Sequence, residues 1–182
     1  MDENVKGILE NLASKDDAIR MSALQAILQL TDDRVDWAYE AWDRLLEKLN
    51  DGNSFQRSIG VMVLCNLAKS DDENRLGGDL PLLLAHTHDE KFITSRQCLQ
   101  HIWKTALTHP ANRKAVLDHL EQRFRECATE NHYNLLRLDI IQSMRLIYDR
   151  VKDATILSSA KELIQLETDG KMQKRYLAAL KN

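Results

Sequence analysis

Asp17-Ala18-Ile19-Arg20-Met21-Ser22-Ala23-Leu24-Gln25-Ala26-Ile27-Leu28 decides how the chain is read. Ala23, Ile27 and Leu30 follow Arg20 by three, seven and ten positions, which is one face of a helix turning about 100° per residue. The same phase returns after Arg57 (Gly60, Leu64, Leu67), Arg96 (Leu99, Trp103, Ala106) and Arg137 (Ile140, Met144, Ile147), and begins again with Ala178 after Arg175. The five arginines are 37, 39, 41 and 38 residues apart. That interval is far too long for a coiled coil and matches stacked helix pairs. Six positions before each arginine stands a short or acidic polar residue: Ser14, Asp51, Glu90, Asn131 and Asp169.

Ahead of each arginine helix lies another apolar spacing. Val5, Ile8, Leu9 and Leu12 mark the first, and Trp42, Leu45, Leu46 and Leu49 the second. Leu80, Leu83 and Leu84 follow, then Val116, Leu120 and Phe124, then Ile156, Ala160, Leu163 and Ile164. The spacing predicts ten helices in five pairs within one domain, with repeats at about 1–31, 32–70, 71–109, 110–150 and 151–182. Asp51-Gly52-Asn53-Ser54 and Thr168-Asp169-Gly170 read as turns that cap the next helix. Pro110 suits a first helical position, and Pro81 opens or kinks its helix.

The unit resembles a HEAT repeat, whose second helix carries an Asp, then an apolar–Arg pair, then small and apolar residues. Asp17 to Leu28 shows the apolar–Arg core, Asp51 with Arg57 shows the Asp-to-Arg spacing, and Leu80-Pro81-Leu82-Leu83-Leu84 resembles the first helix. Gln56, Ser95 and Lys174 replace the apolar residue before Arg, and Glu90 and Asn131 replace Asp. The resemblance covers almost the whole chain. It implies an all-α, right-handed α-α superhelix (solenoid) of about five HEAT-like pairs, with second helices lining a concave wall. Charge-assisted bonds from Arg20, Arg57, Arg96, Arg137 and Arg175 to polar groups at the joints, Asp51 and Asp169 among them, would fix the stacking register.

Composition narrows the function. A chain that is 43% hydrophobic and 29% charged folds as a soluble globular protein, and its net charge of −3 argues against nucleic acid as the main partner. Three cysteines do not make a disulfide framework, no apolar run reaches membrane-spanning length, and a cytoplasmic location is expected. His86-Thr87-His88-Asp89 is the most metal-like cluster, but histidines two apart on a helix point to different faces. Cys98 with His101 completes no nucleophilic site, and no phosphate or dinucleotide loop is present. No catalytic residue, cofactor or metal is assigned.

The side opposite the buried face carries no charged residue. It holds Met21 and Gln25, then Ser58, Met62 and Asn66, then Gln97 and His101, then Gln142, with Lys104 and Arg145 along its border. Interface centres are poor in charge, so this strip is expected to bind another protein along the concave face, as a non-enzymatic adaptor or scaffold; the opposing reading is that curvature packs much of it against neighbouring helices and leaves no groove. The alternative is a DNA-binding or DNA-repair protein similar to the helical-repeat DNA glycosylases, with Asp139, Trp103, Lys104 and Arg145 in the site. Partner identity and oligomeric state have no signature in the sequence.

Overall fold

The computed structural model describes residues 1–181; Asn182, which ends the fifth predicted repeat, lies outside the described residues. Among these residues there are ten α-helices and no strand. They are α1 (Glu3–Asn11), α2 (Asp17–Leu30), α3 (Ala38–Leu49), α4 (Ser54–Leu67), α5 (Leu76–Ala85), α6 (Phe92–His101), α7 (Pro110–Glu126), α8 (Tyr133–Val151), α9 (Ala154–Gln165) and α10 (Gly170–Lys181). The chain divides into two compact units, Met1–Cys98 and the part from Leu99 onward. In unit 1, α1 packs on α2, α3 on α4, and α2 on α4. In unit 2, α7 packs on α8 and α9, while α10 packs on both α8 and α9.

The joints work as helix punctuation. Asn53 Oδ1 accepts from the Phe55 N–H at 2.9 Å, Asp153 Oδ1 from Thr155 at 3.0 Å, and Asp169 Oδ1 from Lys171 at 2.8 Å. Each satisfies an N–H that has no partner inside its helix. Pro110 occupies the first turn of α7, where no N–H is needed. Pro81 lies inside α5, which starts at Leu76, ahead of the apolar run. The proline removes one bond of the ladder there, opposite Gly77. After His101 the chain tightens into a 3-10 helix, Ile102–Leu107. Each residue then advances about 120° instead of 100°.

The arginine-phased apolar residues form the core, with three exceptions. Leu30 is 40% exposed, Ala178 is exposed, and Trp103 is half-buried because the 3-10 turn rotates it off the packed face. In unit 1 the core centres on α4, whose residues Gln56 to Leu67 are all buried. Gly60 makes this possible. A Cβ there would meet the Leu45 carbonyl and the Leu49 side chain at 3.0 Å, so α3 and α4 approach backbone to side chain.

The arginines hold the joints, by a different route from the one the residue types suggest. Arg57 donates through Nη1 to the Asp51 carbonyl at 2.9 Å and the Gly52 carbonyl at 3.2 Å. Its Nε and Nη2 grip both oxygens of Asp89 at 2.6 and 2.8 Å. Arg20 donates to the Ser14 carbonyl at 2.9 Å and pairs with Asp17. Arg137 donates to the Phe124 carbonyl at 3.1 Å and to Glu167 Oε2 at 3.0 Å. For Arg20 and Arg57 the acceptor six positions back is therefore a backbone carbonyl, for Arg137 the carbonyl lies thirteen positions back instead of at Asn131, and the Asp51 carboxylate accepts from the Asn53 N–H. Asp169 likewise caps α10 and leaves the guanidinium to Glu167. Arg96 is half-buried, with its guanidinium 5.8 Å from the Phe92 ring. Arg175 is exposed and has no ion pair among the described residues, so the ladder loses its last rung. A further rung, from the buried Arg123 to the exposed Glu130 at 2.8 Å, lies outside the predicted series.

Two outcomes follow from these contacts. Arg137→Ala strands the buried Glu167 carboxylate and should cost about 3–5 kcal/mol in denaturant unfolding, whereas Arg175→Ala should stay within about 0.5 kcal/mol. Equal, small effects at both sites would refute the buried ladder. Burial opposes ionisation of Asp89, but Arg57, the Lys91 N–H and His86 outweigh it and hold the carboxyl at about 2, below its ordinary 3.8. Because the folded value is the lower one, the stabilisation of about 2 kcal/mol is present above about pH 4 and is lost as pH falls through about 2. Asp89→Asn should flatten the stability profile across that window, measured by unfolding at stepped acid pH.

Candidate functional site

The uncharged strip divides between packing and surface. On α2, Met21 is 50% exposed and Gln25 is open. On α4, Ser58, Met62 and Asn66 are buried, which corrects the expectation that they face a partner. Neighbouring helices take their polar atoms. Ser58 Oγ donates to Thr94 Oγ1 at 3.0 Å, and Asn66 Nδ2 donates to the Leu28 carbonyl at 3.2 Å and Thr31 Oγ1 at 3.1 Å. These residues lack charge because they are core. Gln97, His101, Lys104 and Arg145 are half-buried, and Gln142 is exposed.

In unit 2 the strip does open onto a recess of about 450 Å³ on α8. Asp139 and Ser143 form its floor, both 1% exposed, with Gln142 and Leu146 beside them. Gln100 and Ala179 close the sides. Gln100 Nε2 donates to Asp139 Oδ1 at 3.0 Å, and Ser143 Oγ donates to the Leu99 carbonyl. At the rim, Arg145 Nε donates to Asp149 Oδ2 at 2.9 Å and its Nη1 to the Leu180 carbonyl at 2.5 Å. Arg145 and then burial act in opposite senses on Asp149, and the guanidinium wins, lowering the carboxyl from its ordinary range. No buried side-chain nitrogen or oxygen among the described residues lacks a partner. The floor is therefore set by internal hydrogen bonds, and the exposed amide and half-buried aliphatic edge are what a ligand would meet. The Arg145–Asp149 pair is legible as an i,i+4 spacing. Gln100 gives no signal of its own in the sequence, because its partner lies on another helix.

The remaining candidates are placed differently. Among the described residues, no three His, Cys, Asp or Glu side chains gather in a metal-holding geometry. His86 Nδ1 lies 3.3 Å from Asp89 Oδ2, and that carboxylate is already held by Arg57. Cys65, Cys98 and Cys127 are buried. Burial pushes the Cys98 thiol well above its ordinary range, and it donates to the Leu83 carbonyl at 3.3 Å, so it is a poor nucleophile. Trp37 is buried; Trp103, phased with the packed face, is half-buried with Lys104 Nζ and Arg150 Cζ 5.8 and 5.9 Å from its ring. Asp139 and Arg145 line the recess, but Trp103 and Lys104 are not among its walls.

No protein-family model matches the chain. No curated protein sequence matches it either. Among solved structures, the crystal structure of an engineered protein aligns with a TM-score of 0.54 at 14% identity, over 99% of this chain and 96% of that one. At that identity the likeness concerns the helical fold alone.

Proposed function

We propose that the chain is a non-enzymatic protein-interaction module built as an α-α solenoid of about five HEAT-like pairs, and that its binding surface is the Gln142 side of α8 in unit 2. Helices that alternate as α1/α2 and α3/α4 in one unit, and α7/α8 and α9/α10 in the other, support the repeat reading. The observation that carries the function is the recess beside Gln142. Its polar floor is internally satisfied, and an uncharged amide and the Leu146 side chain edge it. An interface of that kind recognises shape and a few hydrogen bonds, with charge kept at the rim by Arg145 and Asp149. A partner segment laid along α8 would place one side chain in the recess.

Gln142→Trp should fill the recess from an already exposed position. We expect it to weaken the complex with a captured partner at least about tenfold, read by isothermal titration, with a melting temperature within about 2 °C of the parent. Gln25→Trp, also at an exposed position but on α2, should leave the same affinity unchanged. A partner indifferent to Gln142→Trp would remove this surface from the function.

A further inference from the structure

The net charge of −3 conceals a division. Unit 1 holds eleven Lys and Arg against eighteen Asp and Glu, a net −7; unit 2 holds fourteen against ten, a net +4. Charge asymmetry of this kind between two parts of a chain is a signature of contact with a polyanion.

Within unit 2 six of the fourteen cations are paired. Lys114, Arg123, Arg125, Arg137, Arg145 and Lys152 each face a carboxylate. Of the others, four lie on α10, the largest group on one helix, and α10 has no acidic residue. Lys171, Lys174, Arg175 and Lys181 are all exposed, and none of their side chains has an ion pair or hydrogen bond among the described residues. With Ala178 between them they share one face of the helix, opposite the buried Met172, Tyr176 and Leu180. The stripe runs roughly 15 Å along the axis. Of the two acids just before α10, Glu167 is held by Arg137, and the Asp169 carboxylate caps the helix at the Lys171 N–H and forms no ion pair with the stripe among the described residues.

We propose that this face of α10 docks on the sugar-phosphate backbone of a nucleic-acid duplex without reading its bases. Three of the four cations are lysines, which act on phosphate as flexible point charges. The amide that could read a base edge, Gln173, is turned inward to the Ile164 and Glu167 carbonyls. Lysine is depleted at protein–protein interfaces, which disfavours an acidic protein as the occupant. A bilayer is disfavoured because the apolar side of α10 is packed on α8 and α9 and cannot insert. This surface is separate from the Gln142 recess and does not depend on the function proposed for it.

The test is fluorescence anisotropy of the full chain with a labelled DNA duplex of about 20 base pairs, from about 50 to 200 mM NaCl. Log affinity should fall with log salt at a slope of about −3, as three or four phosphates are neutralised. Lys171→Glu with Lys174→Glu should weaken binding at least about tenfold at the lowest salt and reduce the slope by about two, with an unchanged melting temperature. Lys15→Glu, an exposed cation of unit 1, should bind as the parent does. Absence of binding at about 50 mM salt, or equal binding by the double variant, overturns the proposal. So does binding to phosphatidylserine vesicles without binding to the duplex.

Discussion

A guanidinium sealed against the joint of a helix pair is the constraint on which each unit rests. Arg57 shows it most fully. Three of its nitrogens reach four acceptors, two backbone carbonyls just past α3 and both oxygens of Asp89 ahead of α6. Taking that charge out of water is costly, and only near-complete hydrogen bonding offsets it. The arrangement serves two needs together. Carbonyls beyond a helix end have no partner within the helix, and a buried carboxylate needs an opposite charge beside it to offset its lost hydration. Arg137 repeats the solution in unit 2 with Phe124 O and Glu167, and adds the faces of Phe124 at 4.5 Å and Tyr133 at 5.1 Å.

The same chemistry explains what the sequence could show. The six-residue interval before Arg20 and Arg57 survives because its acceptor is a carbonyl, which every residue supplies. That is why Ser14 and Asp51 can share a role despite unlike side chains. The forward carboxylates were invisible, since Asp89 and Glu167 sit one and two positions before the acidic residues that the interval picks out. Helix number and order were legible from apolar spacing alone, because each first and second helix must bury one face against its mate. The ends were less so. Nothing in Ile102-Trp103-Lys104-Thr105 announces a change from 3.6 to three residues per turn, yet that change decides where Trp103 points.

Lack of charge proved to have two meanings. On α4 the uncharged strip marks helix–helix bonding, because α2 and α6 residues flank Ser58 and Asn66 and leave no water to solvate a charge. On α8 the equivalent positions diverge. Leu138 is buried, while Gln142 is exposed over a recess. One periodic pattern therefore covers a core position and a surface position. Only the neighbours of each helix distinguish them, and neighbours are tertiary facts that helical phase does not contain.

Charge counted over the whole chain misleads in a parallel way. A sum of −3 is an average over groups screened from one another beyond about 8 Å at physiological salt, so it says little about what any one surface attracts. What a ligand meets is the local remainder after ion pairing. In unit 1 that remainder is acidic; in unit 2 it is basic, and four of its cations stand together on α10. Arg175 belongs to that remainder because it has lost its joint. A helical phase that buries Arg57 and Arg137 leaves Arg175 in solvent, where a guanidinium no longer stabilises packing and is free to meet an anion from outside. The position that breaks the structural ladder is thus the one that contributes its charge to the surface.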